Sequence, residues 1–258
     1  MSKDTEKFDK HTLKDDEVGD ALLVFINKLK ERKIPIIATF VIIVVLLVGY
    51  NASKDYKNSK LTDISEKLAK ARASYEEAVQ GEFEDKSKES YEKAIKQYQE
   101  VIDEHPTSNG GIEALYLQGN CYYEMKDFDN AKAAYNKYVA KVTDPAEKAN
   151  AYLSLGYTFE NQFFYTNKEE FLKSAMENYE QAIKAAKETY MKYQAMMSLG
   201  RCYELTNKDQ EALDLYKKII AEKPKSENSL NSPYAMFNVE TTVKDKIEKL
   251  EASLQAKK

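Results

Sequence analysis

Two landmarks recur along this sequence with the same step, and they constrain the fold more than any other feature. The first is the pattern Ala-x-x-x-Tyr, whose successive alanines lie 37, 44 and 37 residues apart. Its four copies begin at Ala94, Ala131, Ala175 and Ala212. The second is a glycine upstream of each of the last three copies, at Gly119, Gly156 and Gly200. An alanine and an aromatic residue four positions apart share one helical face, so this register predicts stacked pairs of helices.

The glycines indicate how closely the paired helices pack. A glycine inside a helix costs about 1 kcal/mol relative to alanine, so three glycines in register predict close contact between paired helices. Pro106 and Pro224 each follow the alanine of their copy by 12 residues, where a helix should end. With 8 glycines and 5 prolines in 258 residues, the composition favours helix and disfavours a sandwich or a barrel.

These motifs resemble the tetratricopeptide repeat. Residues 114–135 and 195–224 show its order of small, large, Leu and Gly, followed by Ala-x-x-x-aromatic. The aromatic position three after each glycine is held by Tyr122, Phe159 and Tyr203. A third copy carries seven extra residues around "QFFYTNKEEF", which predicts a protruding turn or longer helices.

The resemblance implies an all-α fold in which residues 53–258 form an α-solenoid of about four repeats. The first repeat, residues 90–106, has a good second helix, but its first helix lacks the glycine. Residues 235–256 look like the polar capping helix that ends such arrays.

An uncharged run precedes this region. Residues 34–50 contain no charge in a chain of which 32% is charged. With residues 51 and 52 the run reaches 19 residues, close to the roughly 20 that cross a bilayer as a helix. A signal peptide has a shorter apolar region nearer the N-terminus, and a core helix keeps a polar stripe. The sequence therefore predicts a single transmembrane helix over residues 34–52, in contact with lipid.

The flanking residues predict an orientation. Lysines and arginines crowd residues 28–33, which favours a cytoplasmic N-terminus, although three lysines also follow the span within residues 54–60. Residues 1–33 are then a charged cytoplasmic tail, disordered over residues 1–12 and amphipathic over residues 13–32. That amphipathic helix either lies on the membrane surface or continues into the span. A repeat domain facing a cytosol is the alternative orientation.

Several function classes are disfavoured. The net charge of −4 and the absence of a basic face argue against nucleic-acid binding. His11 and His105 are the only histidines, so no metal site or catalytic triad is predicted. The chain has no P-loop and no hydrolase motif, so we expect neither an enzyme nor a cofactor. Cys121 and Cys202 occupy one position in non-neighbouring repeats, which predicts two buried thiols rather than a disulfide.

The tetratricopeptide resemblance implies a concave face, lined by the first helix of each repeat, that binds a protein or peptide. The positions carried over are Tyr116, Asn120, Tyr123, Leu153, Tyr157, Glu160, Met197, Arg201 and Glu204. Some relatives hold a carboxylate with a lysine and asparagine clamp. Asn120 fits that clamp, but Tyr116 stands where its lysine should be, so no clamp is predicted.

The layout of a charged tail, one span and a four-unit array resembles the ancillary SecYEG translocon subunit (YfgM-like) family. That resemblance implies a single-pass protein of the inner membrane with a periplasmic repeat domain. Its partners would be the translocon, chaperones or newly exported proteins. The alternative is a structural scaffold that permanently holds one component of an outer-membrane or motility complex.

Overall fold

The computed structural model describes residues 17–31, 33–81, 84–186, 189–222 and 239–256. The described residues form ten helices and no strand, which confirms the predicted all-α class. The helices are α1 (Glu17–Glu31), α2 (Lys33–Gln80), α3 (Glu84–Glu104), α4 (Asn109–Glu124), α5 (Phe128–Lys141), α6 (Pro145–Thr166), α7 (Glu169–Ala185), α8 (Thr189–Leu205), α9 (Asp209–Glu222) and α10 (Val239–Ala256).

The chain divides into two compact units, Met1–Leu61 and Thr62–Lys258. The first contains α1 and the N-terminal part of α2. Residues 1–12, predicted to be disordered, lie outside the described residues, and so does Arg32 between the two helices. Both alternatives for residues 13–32, a helix on the membrane surface and a helix continuous with the span, therefore stay open.

The apolar part of α2 is exposed. Its large side chains range from 40% exposed at Val44 to 76% at Ile34. A core helix of this composition would be mostly buried, so the structure does not support that alternative. Among the described residues, Ile37–Gln80 is the one helix long and apolar enough to cross a membrane. The helix does not end at the predicted limit of the span, residue 52.

The second unit is built from consecutive packed helices. Each helix from α3 to α9 packs against the next, and α10 packs against α9. The pairs α4/α5, α6/α7 and α8/α9 are the three glycine-containing repeats, and α6 also contacts α8 in the next pair. This arrangement is the predicted helical-repeat solenoid.

The first repeat is formed by the C-terminal half of α2 together with α3. Ile64, Leu68 and Ala71 of α2 form one buried cluster with Tyr98 and Val101 of α3. The buried Ala78, further along the same face of α2, belongs to that cluster too. The helix that carries the apolar run thus also supplies the first helix of the array.

The glycine register has a specific cause. A Cβ atom on Gly156 would lie 2.3 Å from Cε1 of Tyr179, the tyrosine of Ala-x-x-x-Tyr in the same repeat. The corresponding distances from Gly119 to Tyr135 and from Gly200 to Tyr216 are both 2.6 Å. Each glycine therefore makes room for the ring of its partner tyrosine, which confirms the predicted close contact.

The alanines of the pattern are buried as predicted. Their side chains are 0% exposed at all four positions, namely Ala94, Ala131, Ala175 and Ala212. The packed helices leave room for only a methyl group at each of these positions, so a larger side chain would not fit without moving them.

The seven extra residues of the third repeat lengthen its two helices. The turns of the three glycine-containing repeats each hold one residue with positive φ: Lys126, Asn167 and Asn207. That residue follows the glycine by seven positions in two repeats and by eleven in the third. α6 therefore gains four residues and α7 three, about one turn each, so both landmarks stay on the packed faces.

The helix ends follow local signals. α3 ends at Glu104, ahead of Pro106, as predicted. Pro224 lies outside the described residues, and α9 ends at Glu222. Asp144 caps α6 by accepting hydrogen bonds from the amides of Ala146 and Glu147.

The predicted cap helix and thiols are also found. α10 buries Val243 and Leu250 against Tyr216 and Ile219 of α9, and residues 235–238 lie outside the described residues. Both cysteines are free and buried, which agrees with the expectation of no disulfide.

Candidate functional site

The predicted concave-face residues lie on α4, α6 and α8, the first helices of three repeats. Arg201 is exposed, whereas Leu153 and Glu160 are only 5% and 3% exposed. The half-buried members are Tyr116, Asn120, Tyr123, Tyr157, Met197 and Glu204. These side chains share one face but differ in how much of them a ligand could reach.

Three predicted residues come together in one pocket. Asn120, Tyr123 and Tyr157 line a cavity of about 210 Å³. Its other lining residues are Tyr75, Glu124, Tyr135 and Ser154. The pocket thus joins the first, second and third repeats, and we call it the tyrosine pocket.

Tyr116 lies beside this pocket. Its hydroxyl accepts a hydrogen bond from Asn150 Nδ2 at 2.9 Å and lies 3.0 Å from Ser154 Oγ. Its ring packs against Tyr135 and Tyr138, with centroids 5.5 and 5.2 Å away. These contacts fix Tyr116 between the second and third repeats, where it lines a second, larger cavity of about 570 Å³ together with Tyr138.

Glu160 is a structural acceptor on the same face. One of its carboxylate oxygens accepts from Arg201 Nε at 2.6 Å, and the other accepts from Arg201 at 2.7 Å. The Tyr179 hydroxyl also donates to it at 2.6 Å. This bidentate pair joins the third repeat to the fourth and raises the pKa of the Arg201 guanidinium.

Glu204 has the equivalent role in the fourth repeat. Its carboxylate accepts from Tyr216 at 2.6 Å and from Lys246 Nζ at 2.9 and 3.0 Å. Lys246 belongs to α10, so the cap helix closes the array with the kind of ion pair that joins the third and fourth repeats.

The tyrosines of Ala-x-x-x-Tyr therefore do more than fill space. The Tyr135 hydroxyl donates to Asn120 at 2.8 Å, whereas Tyr179 and Tyr216 donate to carboxylates. Burial raises the pKa of all three phenols. Each ring passes over a glycine, and its hydroxyl bonds one of the predicted lining residues, Asn120, Glu160 or Glu204.

Leu153 and Met197 serve the core. Leu153 is buried with Leu172 and Leu199, and Met197 packs against the cluster that α10 completes. In this structure Leu153 and Glu160 are not open to a ligand, because packing and hydrogen bonds already occupy them.

The sequence interpretation missed several residues of the site. Tyr75 lies in a helix without the glycine landmark, so its place in the repeat could not be aligned. Glu124 and Asn161 each follow their glycine by five positions, a register that the carried-over lining positions did not include. Asn161 Nδ2 donates to the Tyr123 hydroxyl across the repeats.

The carboxylate of Glu124 differs from the other two acids. Among the residues that the structure describes, it makes no ion pair and no hydrogen bond, although Glu160 and Glu204 both hold cations. The Glu124 side chain is exposed, and the protein around it displaces enough water to raise the pKa of its carboxyl.

One cluster away from this face has metal-ligand chemistry. Side-chain atoms of Asp63, Glu104 and His105 lie within 4.8 Å of one another. Lys67 Nζ forms ion pairs with both carboxylates, and His105 Nε2 lies 2.9 Å from Asp63 Oδ2. The ammonium group already supplies the positive charge that these acids need, so the cluster is an ion-pair network joining α2 to the end of α3.

Two segments match the tetratricopeptide repeat family. They are residues 113–144 and residues 170–227. The first covers the second repeat with its α4/α5 pair, and the second begins in α7 and includes the fourth repeat. Together with the glycine and tyrosine packing, these matches support a tetratricopeptide repeat domain. Comparison with curated proteins gives no match.

Several solved structures match this chain at low identity. The MamA RS-1 ArsTM double mutant is 21% identical with a TM-score of 0.41. The match covers 51% of this chain and 65% of the length of that protein. MamA is 22% identical with a TM-score of 0.42, covering 66% of this chain and 92% of that one. A thermophilic TPR protein of Thermus thermophilus is 15% identical with a TM-score of 0.43, covering 71% and 82%.

Proposed function

We propose that this chain is a membrane-anchored protein-binding module whose repeats hold segments of other polypeptides on their concave face. The observation that carries the proposal is the tyrosine pocket, an aromatic cavity formed by three successive repeats. Tetratricopeptide repeats are protein-interaction domains, and half-buried tyrosines give large contact area at low cost in side-chain entropy.

The anchor belongs to the same proposal. An exposed apolar helix is unfavourable in water, and lipid would cover the side chains of residues 37–48. We infer that residues 34–52 span the inner membrane, with the N-terminus in the cytoplasm and the repeats in the periplasm. The lysines and arginines of residues 28–33 support that orientation.

We further propose that the module assists newly exported proteins or their chaperones near the Sec translocon. Support comes from the resemblance in layout to the ancillary translocon subunit family. A scaffold that permanently holds one subunit of an envelope complex is the second candidate. The ion pairs of Glu160 and Glu204 favour the scaffold, because they hold the third repeat, the fourth repeat and the cap helix together as a rigid surface.

Cross-linking in cells separates the two candidates. The tagged full-length chain is cross-linked gently and solubilised in mild detergent, and the co-purifying proteins are identified. Translocon subunits with a varied set of exported proteins at low stoichiometry are the expected result. One partner at fixed stoichiometry would replace the transient-binding proposal with the scaffold.

The site itself is tested by replacing Tyr123 and Tyr157 with alanine. Removing both rings should weaken partner capture about ten-fold or more, because aromatic residues in a binding pocket often carry over 1 kcal/mol each. Capture yields are compared after cross-linking, and a melting curve shows whether the array still folds. The matched control is Tyr165→Ala, which removes a 61% exposed ring from the extended α6. Loss of capture only in the control would move the site to that extension.

A further inference from the structure

The last two junctions of the array, between the third and fourth repeats and between the fourth repeat and the cap helix, follow one plan. Glu160 of the third repeat holds the Arg201 guanidinium of the fourth, and Glu204 of the fourth holds the Lys246 ammonium of the cap helix. In each case an acid that follows its glycine by four residues receives a cation from the next element.

The junction between the second and third repeats lacks that cation. Arg201 directly follows Gly200, and the residue that directly follows Gly156 is Tyr157. An acid is still present, because Glu124 follows Gly119 by five residues and lines the tyrosine pocket. Within the described segments of the chain, its carboxylate has no cationic partner.

The remaining walls of the pocket suit a cation. Tyr75, Tyr123 and Tyr157 supply aromatic rings, and a guanidinium or ammonium group is attracted to a ring face within about 6 Å. Asn120 and Ser154 add polar side chains to the lining. No lysine, arginine or histidine lines the cavity among the described residues.

The size of the pocket limits its occupant. Its volume of about 210 Å³ is smaller than the roughly 300–1,000 Å³ of a typical small-molecule site. It joins three repeats on the face that the proposed function assigns to polypeptide binding. One side chain from a bound segment fits this size, whereas a helix or a cofactor does not.

We propose that the tyrosine pocket binds the guanidinium or ammonium group of an arginine or lysine side chain of a partner polypeptide. This inference rests on the proposed protein-binding function and names the chemical group that the site selects. The partner's cation supplies to Glu124 the positive charge that Arg201 and Lys246 supply to Glu160 and Glu204. The Glu124 side chain is exposed, so its carboxylate is open to a cation that enters from solvent.

The test uses the full-length chain in mild detergent and short peptides tiled across a set of exported proteins. Bound peptides are expected to be rich in arginine and lysine. Replacing the basic residue of a bound peptide with norleucine, an uncharged analogue of lysine, should weaken its binding about ten-fold, measured by fluorescence anisotropy. Binding should also weaken as salt rises, because the pair is partly exposed.

Protein variants test the carboxylate. Glu124→Gln should weaken the basic peptides by a similar factor of about ten and leave the norleucine peptides unchanged. The Glu124→Lys variant should no longer bind the basic peptides and should prefer acidic ones. The matched control is Glu248→Gln, which removes an exposed acid on α10 and should leave all affinities unchanged. Circular dichroism and melting curves check that the variants fold.

Three results would overturn the inference. One is that bound peptides show no basic preference, another is that Glu124→Gln binds basic peptides as tightly as the parent, and a third is that no peptide binds at all. The first two leave the protein-binding function intact, since peptides still bind. In the third, cross-linking in cells decides that function separately, because it captures partners whatever their charge.

Discussion

At the scale of single residues, the array depends on a glycine and a tyrosine that share one volume. The ring of Tyr179 lies where any side chain on Gly156 would begin, and the same pairing recurs in two other repeats. The alanine of each pattern is buried without exposed surface. Small residues here set the distance between helices, and each tyrosine hydroxyl donates a hydrogen bond to a predicted lining residue.

Gly156→Ala should destabilise the protein although alanine is the better helix former. Propensity alone would add about 1 kcal/mol, but the new methyl group would lie 2.3 Å from the Tyr179 ring. Because overpacking a core costs about 1–3 kcal/mol, we expect a lower free energy of unfolding and a melting temperature reduced by several degrees. Gly49→Ala is the control, since nothing lies within 4 Å of that position. Equal melting of Gly156→Ala and the parent would refute the packing argument.

At the scale of elements, the third repeat shows how a helix pair can lengthen without losing its register. Four added residues in α6 and three in α7 complete about one turn each, and the turn keeps its positive φ at Asn167. The longer helices present Phe164 and Tyr165 to solvent, 57% and 61% exposed.

Deleting residues 163–166 together with residues 169–171 should give a repeat that still folds. The deletion restores the 37-residue step, so Gly156 and Ala175 keep their packed faces. We expect a single cooperative transition, with the melting temperature lowered by no more than about 10 °C for the lost aromatic contacts.

The matched control deletes residues 163 and 164 alone. Since each residue turns a helix by about 100°, this shorter deletion moves the turn and its following helix out of register. It should abolish cooperative unfolding by circular dichroism. Equal behaviour of the two deletions would show that the helix register does not matter.

At the scale of the whole molecule, the array joins its repeats by a chain of contacts from α2 to α10. Ion pairs close the junction of the third and fourth repeats and the junction with the cap helix. The two cysteines lie in different repeats and are both 0% exposed, so they report separately on the integrity of each repeat.

Thiol labelling should detect no reactive cysteine in the native protein and two after denaturation. Burial raises the pKa of both Cys121 and Cys202 from 9.0 to about 12, so at pH 8 the reactive thiolate is about a thousand-fold rarer than in the unfolded chain. Labelling with a maleimide at intermediate denaturant, read by mass spectrometry, then shows which repeat opens. Rapid labelling of either thiol without denaturant would contradict the packed structure.

The same shifts set the direction of a pH effect. A thiol whose pKa is higher when folded keeps its proton in the native state while the unfolded chain loses it. This contribution to stability is therefore complete below about pH 9 and declines as the pH rises from there towards 12.

The sequence by itself determined the repeat, its helix pairs, the cap helix and the free thiols. It could do so because small residues and aromatic rings recur at helical spacing, and that spacing is a local property of the chain. The apolar run of residues 34–50 could also be predicted from the sequence, since it depends only on the composition of consecutive residues.

Only the tertiary structure decided which lining residues remain available to a ligand. Leu153 and Glu160 stand at lining positions, but neither is available to a ligand. Leu153 packs in the core and Glu160 is paired with Arg201, and these partners come from other helices. Tyr75 and Glu124 enter the pocket from two repeats, and no local pattern relates them. Contacts between residues far apart in the chain depend on how the helices stack. The tertiary structure was therefore needed to show that the Glu124 carboxylate lines the pocket without a cationic partner among the described residues.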